Sequence, residues 1–86
     1  MILIDPPLVE WRGRHWSHLA SDTSYEELHA FARRLGVPER GFDRDHYDVP
    51  SQWYAQVVAL GATEVSSRVL VKRLVDAGLR VRKTEV

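Results

Sequence analysis

Apolar positions along the chain fall into short blocks whose spacing changes from one block to the next. Ile2-Leu3-Ile4 is a compact run closed by Asp5-Pro6-Pro7, which predicts a buried strand with Asp5 at its C-terminal end. Residues 10–14, centred on Gly13, read as a loop or hairpin tip. From 15 to 20, Trp16, His18 and Ala20 alternate with His15, Ser17 and Leu19, and this period of two predicts a second strand. The period then lengthens. Thr23 with Glu26, and Ser24 with Glu27, have capping-box spacing, and Tyr25, Leu28, Phe31, Ala32 and Leu35 follow at helical intervals. Gly36 ends that helix and Pro38 prevents its resumption.

Residues 38–45 carry five charges among eight positions and read as an exposed loop. His46-Tyr47-Asp48-Val49 predicts a short strand. Pro50 or Ser51 opens a second helix bearing Trp53, Tyr54, Val57, Val58 and Leu60, up to Gly61. Thr63-Glu64-Val65 is short enough for a strand or a loop. Ser66 or Ser67 caps a third helix with Leu70, Val71, Leu74 and Val75 on its apolar face, closed by Gly78. Leu79-Arg80-Val81-Arg82 alternates like an edge strand. Short strands between helices predict an α/β or α+β fold: a small single sheet of three to five short strands with about three packed helices.

Length and composition narrow the function classes. Eighty-six residues allow one domain, 1–86. The absence of cysteine removes disulfides, thiolate metal sites and cysteine nucleophiles. Apolar runs of at most four residues exclude a membrane span, and the N-terminus lacks the regions of a signal peptide, so the expected location is cytoplasmic. The five glycines stand singly at 13, 36, 41, 61 and 78, so neither a Walker loop nor Gly-x-Gly-x-x-Gly is present. The zero net charge conceals a split: residues 1–64 hold six basic and ten acidic side chains, and residues 65–86 hold six basic and two acidic ones. A basic C-terminal quarter suits nucleic acid, an acidic protein partner, or a second copy of the chain.

The histidines carry the chemical signal. All four, at 15, 18, 29 and 46, lie in the first 46 residues, among Asp5, Asp22, Asp43, Asp45 and Asp48. His15 and His18, three apart, fall on opposite faces of a strand. His46 and Asp48, two apart, share a face, where an imidazole nitrogen and a carboxylate oxygen can grip one divalent ion. Asp5, at a strand's carboxyl end, is a further candidate. Each has a structural alternative. Asp48 can cap the second helix, His29 can be a boundary residue bonded to a neighbour, and His18 can be a satisfied core imidazole.

Taken together, Ile2-Leu3-Ile4-Asp5, Gly13-Arg14-His15-Trp16-Ser17-His18, Asp22-Thr23, Glu26-Glu27-Leu28-His29 and His46-Tyr47-Asp48 resemble a family of short bacterial and phage proteins filed as a domain of unknown function. The resemblance spans residues 2–75 and implies a small stand-alone protein; it brings no activity.

Two readings of function follow. In the first, Asp5, His18, His46 and Asp48 form a polar pocket for a divalent metal or an anionic ligand, with His29 and Tyr47 at its edge, and the reaction class is metal-assisted hydrolysis. In the second, Arg68, Lys72, Arg73, Arg80, Arg82 and Lys83 contact nucleic acid or an acidic protein without catalysis. The aromatic content and the expected open sheet edge also suggest a homodimer.

Overall fold

The computed structural model describes residues 1–81. Six strands form one mixed sheet: β1 (Ile2–Ile4), β2 (Val9–Trp11), β3 (Arg14–Ser21), β4 (Phe42–Asp43), β5 (His46–Pro50) and β6 (Thr63–Glu64). Three α-helices accompany it: α1 (Tyr25–Leu35), α2 (Tyr54–Leu60) and α3 (Ser67–Asp76). The strands lie in the order β4-β5-β3-β1-β6, with β2 also on β3. All pairings are antiparallel except β1 with β6. The fold is α+β.

β3 is the spine. Its Leu19 pairs with Ile4 on one side and Tyr47 on the other, and its Trp16 with Val9 and Pro50. β1 and β2 therefore share one edge of β3, separated by Asp5-Pro6-Pro7-Leu8. Pro6 and Pro7 have no N–H to donate, so the ladder cannot run through them. The Asp5 carboxylate fills the gap, accepting the His18 backbone N–H at 2.6 Å, while the Asp5 N–H donates to the His18 carbonyl.

Helix ends follow the sequence signals. The Ser24 hydroxyl accepts the Glu27 N–H at the start of α1, and left-handed Gly36 closes its end. Ser66 does the same for α3 through the Val69 N–H. The second helix is shorter than its pattern suggested: residues 51–53 form a single 3-10 turn behind Pro50, and α2 begins at Tyr54. The sheet also has more strands than expected, because two tight hairpins add β2 and β4. Arg12 and Gly13, at φ 53° and 74°, form the two-residue turn that the right-handed strand twist favours between β2 and β3. Arg44, at φ 60°, turns β4 into β5, a conformation that costs an L-residue about 1–2 kcal/mol. Leu79 to Val81 form no strand; Leu79 packs on the core below α3. Arg82 and Lys83 lie outside the described residues.

Side-chain alternation splits the sheet into two unlike faces. Ile2, Ile4, Leu19, Tyr47 and Val49 face α1 and α2, packing with Leu28, Phe31, Ala32, Leu35 and Val57. On the reverse, Leu3 and Ala20 meet Leu70 and Leu74 of α3. Each fully buried aliphatic side chain contributes about 1.5–3 kcal/mol, so the first face carries most of the apolar stabilisation. The second face is only partly apolar, and its other positions carry His18 and His46. Among the described residues no helix is long and apolar enough to cross a membrane.

Candidate metal centre

Three strands bring polar side chains to the α3 face. Asp5 follows Leu3 by one alternation at the end of β1, His18 precedes Ala20 by one on β3, and His46 and Asp48 flank the inward-facing Tyr47 on β5. β3 and β5 are in register with His18 opposite Asp48. The structure thus gathers Asp5, His18, His46 and Asp48 at one cavity of about 330 Å3, whose wall also includes Ser67 and Arg80.

Each imidazole is held from behind by a buried carboxylate. His18 Nδ1 lies 2.8 Å from Asp5 Oδ2, and His46 Nδ1 lies 2.7 Å from Asp45 Oδ1. A carboxylate only accepts, so both Nδ1 atoms carry the proton and both Nε2 atoms are left to act as ligands. The rings meet edge to face with centroids 5.1 Å apart. His46 Nε2 lies 3.3 Å from Asp48 Oδ1, longer than a charge-assisted N–H···O bond and close to the ligand spacing around an ion with bonds of about 2.0–2.2 Å. One ligand atom from each of His18, His46 and Asp48 lies within 4.8 Å of the others.

The carboxylates are strongly supported. Asp5 and Asp45 are each only 1% exposed. Asp5 Oδ2 also accepts the Ser67 hydroxyl at 2.8 Å, and Asp45 Oδ2 accepts the Val81 N–H at 2.9 Å. Burial would raise the Asp5 pKa, but its side-chain and backbone bonds to His18 and the Ser67 hydroxyl outweigh burial and hold it below the usual carboxylate value. Asp48 is lowered chiefly by its contact with His46, against burial. His46 is raised: burial disfavours the charged ring, but Asp48 and Asp45 overcome that effect. Ordered, negatively flanked imidazoles of this kind bind protons or cations well.

Several expectations need correction. Asp48 is not a helix cap: β5 continues to Pro50, which occupies the position before the 3-10 turn without any side-chain cap, and Asp48 faces His46 instead. His29 and Tyr47 do not edge the pocket. They lie on the α1 face, bonded to each other at 2.7 Å with Phe42 against both rings. His15 is exposed on β3, opposite Glu10. Asp45, read as part of an exposed loop, is buried and orients His46; the signal was its position directly before a histidine that alternation turns inward. Ser67, read only as a possible cap, is the third partner of Asp5.

Basic residues differ in how fully they are engaged. Arg73 reaches Asp22 at 2.7 Å and Lys72 reaches Asp76 at 2.9 Å, whereas Arg80 stands 3.7 Å from Asp45 and Arg44 3.8 Å from Asp43. Arg68 is exposed on α3.

A family model described as protein of unknown function (DUF4031) matches residues 2–77. The chain belongs to this family. The DUF4031 match takes in Asp5, His18, Asp45, His46, Asp48 and Ser67 and ends before Arg80. No curated protein and no solved structure gave a significant match.

Proposed function

We propose that this DUF4031 domain binds a divalent metal ion through His18 Nε2, His46 Nε2 and Asp48, and uses the ion's remaining positions for metal-assisted hydrolysis. The observation that carries this reading is the paired arrangement behind the site: two buried carboxylates each hold one imidazole through its Nδ1, and one ligand atom from each of His18, His46 and Asp48 lies within 4.8 Å of the others. Carboxylate–histidine–metal chains use the same arrangement. Two imidazoles and one carboxylate suit borderline ions such as Zn2+, Mn2+ or Fe2+ better than Mg2+ or Ca2+. Three protein ligands leave room for a water whose pKa the ion lowers, and the cavity supplies access for a substrate.

Isothermal titration of chelator-treated protein with Zn2+ and Mn2+ tests the binding step. One ion per chain, lost in His46→Ala, is the expected result. Absence of stoichiometric binding in the wild-type protein overturns the reading. Hydrolysis of a chromogenic ester panel by the loaded protein, abolished by chelator, tests the second step.

A further inference from the structure

We infer that the cavity recognises the terminal phosphate group of a phosphate monoester, with Arg44 and Arg80 holding oxygens that the metal does not. The inference rests on the metal reading above and specifies its substrate class.

Both arginines line the same cavity as His18, His46 and Asp48, and they enter from separate segments, the β4–β5 turn and the chain beyond α3. Among the described residues their guanidinium groups are only loosely engaged. At 3.8 Å and 3.7 Å from Asp43 and Asp45 they exceed charge-assisted hydrogen-bond distance, while Arg73 bonds Asp22 at 2.7 Å. Arg44 and Arg80 are 40% and 41% exposed, so donors remain for an incoming ligand. Arg44 also holds a left-handed backbone that glycine would adopt with less strain, and such strain at a cavity rim points to a side chain with a task.

Charge then selects the ligand. Three carboxylates, Asp5, Asp43 and Asp48, oppose two guanidiniums on the cavity wall, so the metal-free cavity repels anions. A divalent ion on neutral imidazoles reverses the sign. One ion and two guanidinium forks offer three cationic partners, matching the three terminal oxygens of a monoester; a carboxylate or a phosphodiester has only two unesterified oxygens. Val9, Leu70 and Val71 line the same cavity and give it apolar surface suited to the ester's organic group.

The experiment titrates Zn2+-loaded and chelator-treated protein with phenyl phosphate and, separately, with dimethyl phosphate. Expected is saturable binding of phenyl phosphate to the loaded form alone, with dimethyl phosphate at least about tenfold weaker, the loss of one charge-assisted contact. Arg44→Gly removes the guanidinium while easing the turn, so it should keep its metal affinity and its melting temperature yet bind phenyl phosphate about tenfold or more weakly. Arg80→Gln should weaken it similarly and Arg80→Lys should recover part of the loss. If the wild type takes up metal but not phenyl phosphate, or both arginine variants bind it unchanged, this inference falls and the metal reading stands. If the wild type takes up no metal, the reading beneath it falls as well.

Discussion

His46 and the residue directly before it, Asp45, form a buried dyad in which the ring's Nδ1–H donates to the carboxylate at 2.7 Å. Neighbours in a strand ordinarily point to opposite faces. Here the left-handed Arg44 ends the alternation one residue early, so Asp45 folds back beneath the ring of His46. Asp45→Asn keeps an acceptor oxygen but loses the charge that favours the ligating tautomer. Metal affinity should fall about 10–100-fold, read by competitive titration against a chromophoric chelator. An unchanged affinity would remove Asp45 from the site.

Asp48→Asn separates a ligand from a structural residue. Asp48 caps no helix and its side chain is 48% exposed, so in urea the midpoint should move little or slightly downward, by the loss of the contact with His46 that lowers its pKa. Metal uptake should drop further than in Asp45→Asn, because a coordinating oxygen is lost rather than its supporter. Equal metal stoichiometry and affinity in wild type and variant would withdraw Asp48.

Asp5 has the opposite profile. It is buried, and it accepts from the His18 backbone, the His18 ring and the Ser67 hydroxyl. Asp5→Ala strands all three donors at the point where Pro6 and Pro7 interrupt the sheet. A loss of about 3 kcal/mol is expected, measured by denaturant titration with an unaltered slope. A cost below about 1 kcal/mol would mean that water replaces the carboxylate easily.

The parts of the fold that announce themselves locally were legible in the sequence. The Ser24 and Ser66 caps, the Gly36 stop and the Ile2-Leu3-Ile4 run each depend on neighbours within a few residues. The same holds for His46 and Asp48, whose shared face follows from a period of two. Less visible were β2 and β4: the tip around Gly13 was read to begin at residue 10, which took in Glu10 and Trp11 of β2, and the β4–β5 turn places Arg44 where glycine or asparagine is the usual marker. Asp45 and Ser67 were missed as site residues for different reasons. Asp45 sits beside His46 but was read into the charged loop, and its burial under the Val81 N–H comes from a residue 36 positions away; Ser67 meets Asp5 across 62 residues, which only the closed fold brings together. His29 and Tyr47 were misplaced because a count of nearby histidines ignores which face of the sheet each occupies.

A pH effect arises away from the site, where β1 and α1 begin. The Met1 amine pairs with Asp22 at 3.0 Å and Glu27 at 2.9 Å, and Arg73 joins Asp22. Burial acts to raise Asp22, but the amine and Arg73 outweigh it and lower its pKa; Glu27 is lowered chiefly by the Ser21 hydroxyl and the amine. Burial acts to lower the amine, yet Glu27 and Asp22 raise it. The carboxylates therefore stabilise the fold above their unfolded values near about 4 and lose that contribution as pH falls through their folded ones. The amine's contribution is complete below about 8 and fades as pH rises through its raised value. In chelator, melting temperature should form a plateau between about pH 5 and 6.5, fall on the acid side, and decline on the alkaline side first as His46, whose pKa is also raised, loses its proton and then as the amine does. Arg73→Ala should shorten the acid side of that plateau. A melting temperature still rising above pH 9 would contradict the amine's part.

The two faces of the sheet also set how the domain tolerates change. Strand parity assigns adjacent residues to different tasks: Leu19 and Tyr47 to the packing against α1, His18 and His46 to the cavity. Substitutions that conserve volume beneath α1 leave the ligand positions untouched, so packing and chemistry can vary separately. A single-residue deletion within β3 has no such freedom. It would exchange the two sets, turning an imidazole into the apolar layer and a leucine into the cavity, and would cost stability and metal together.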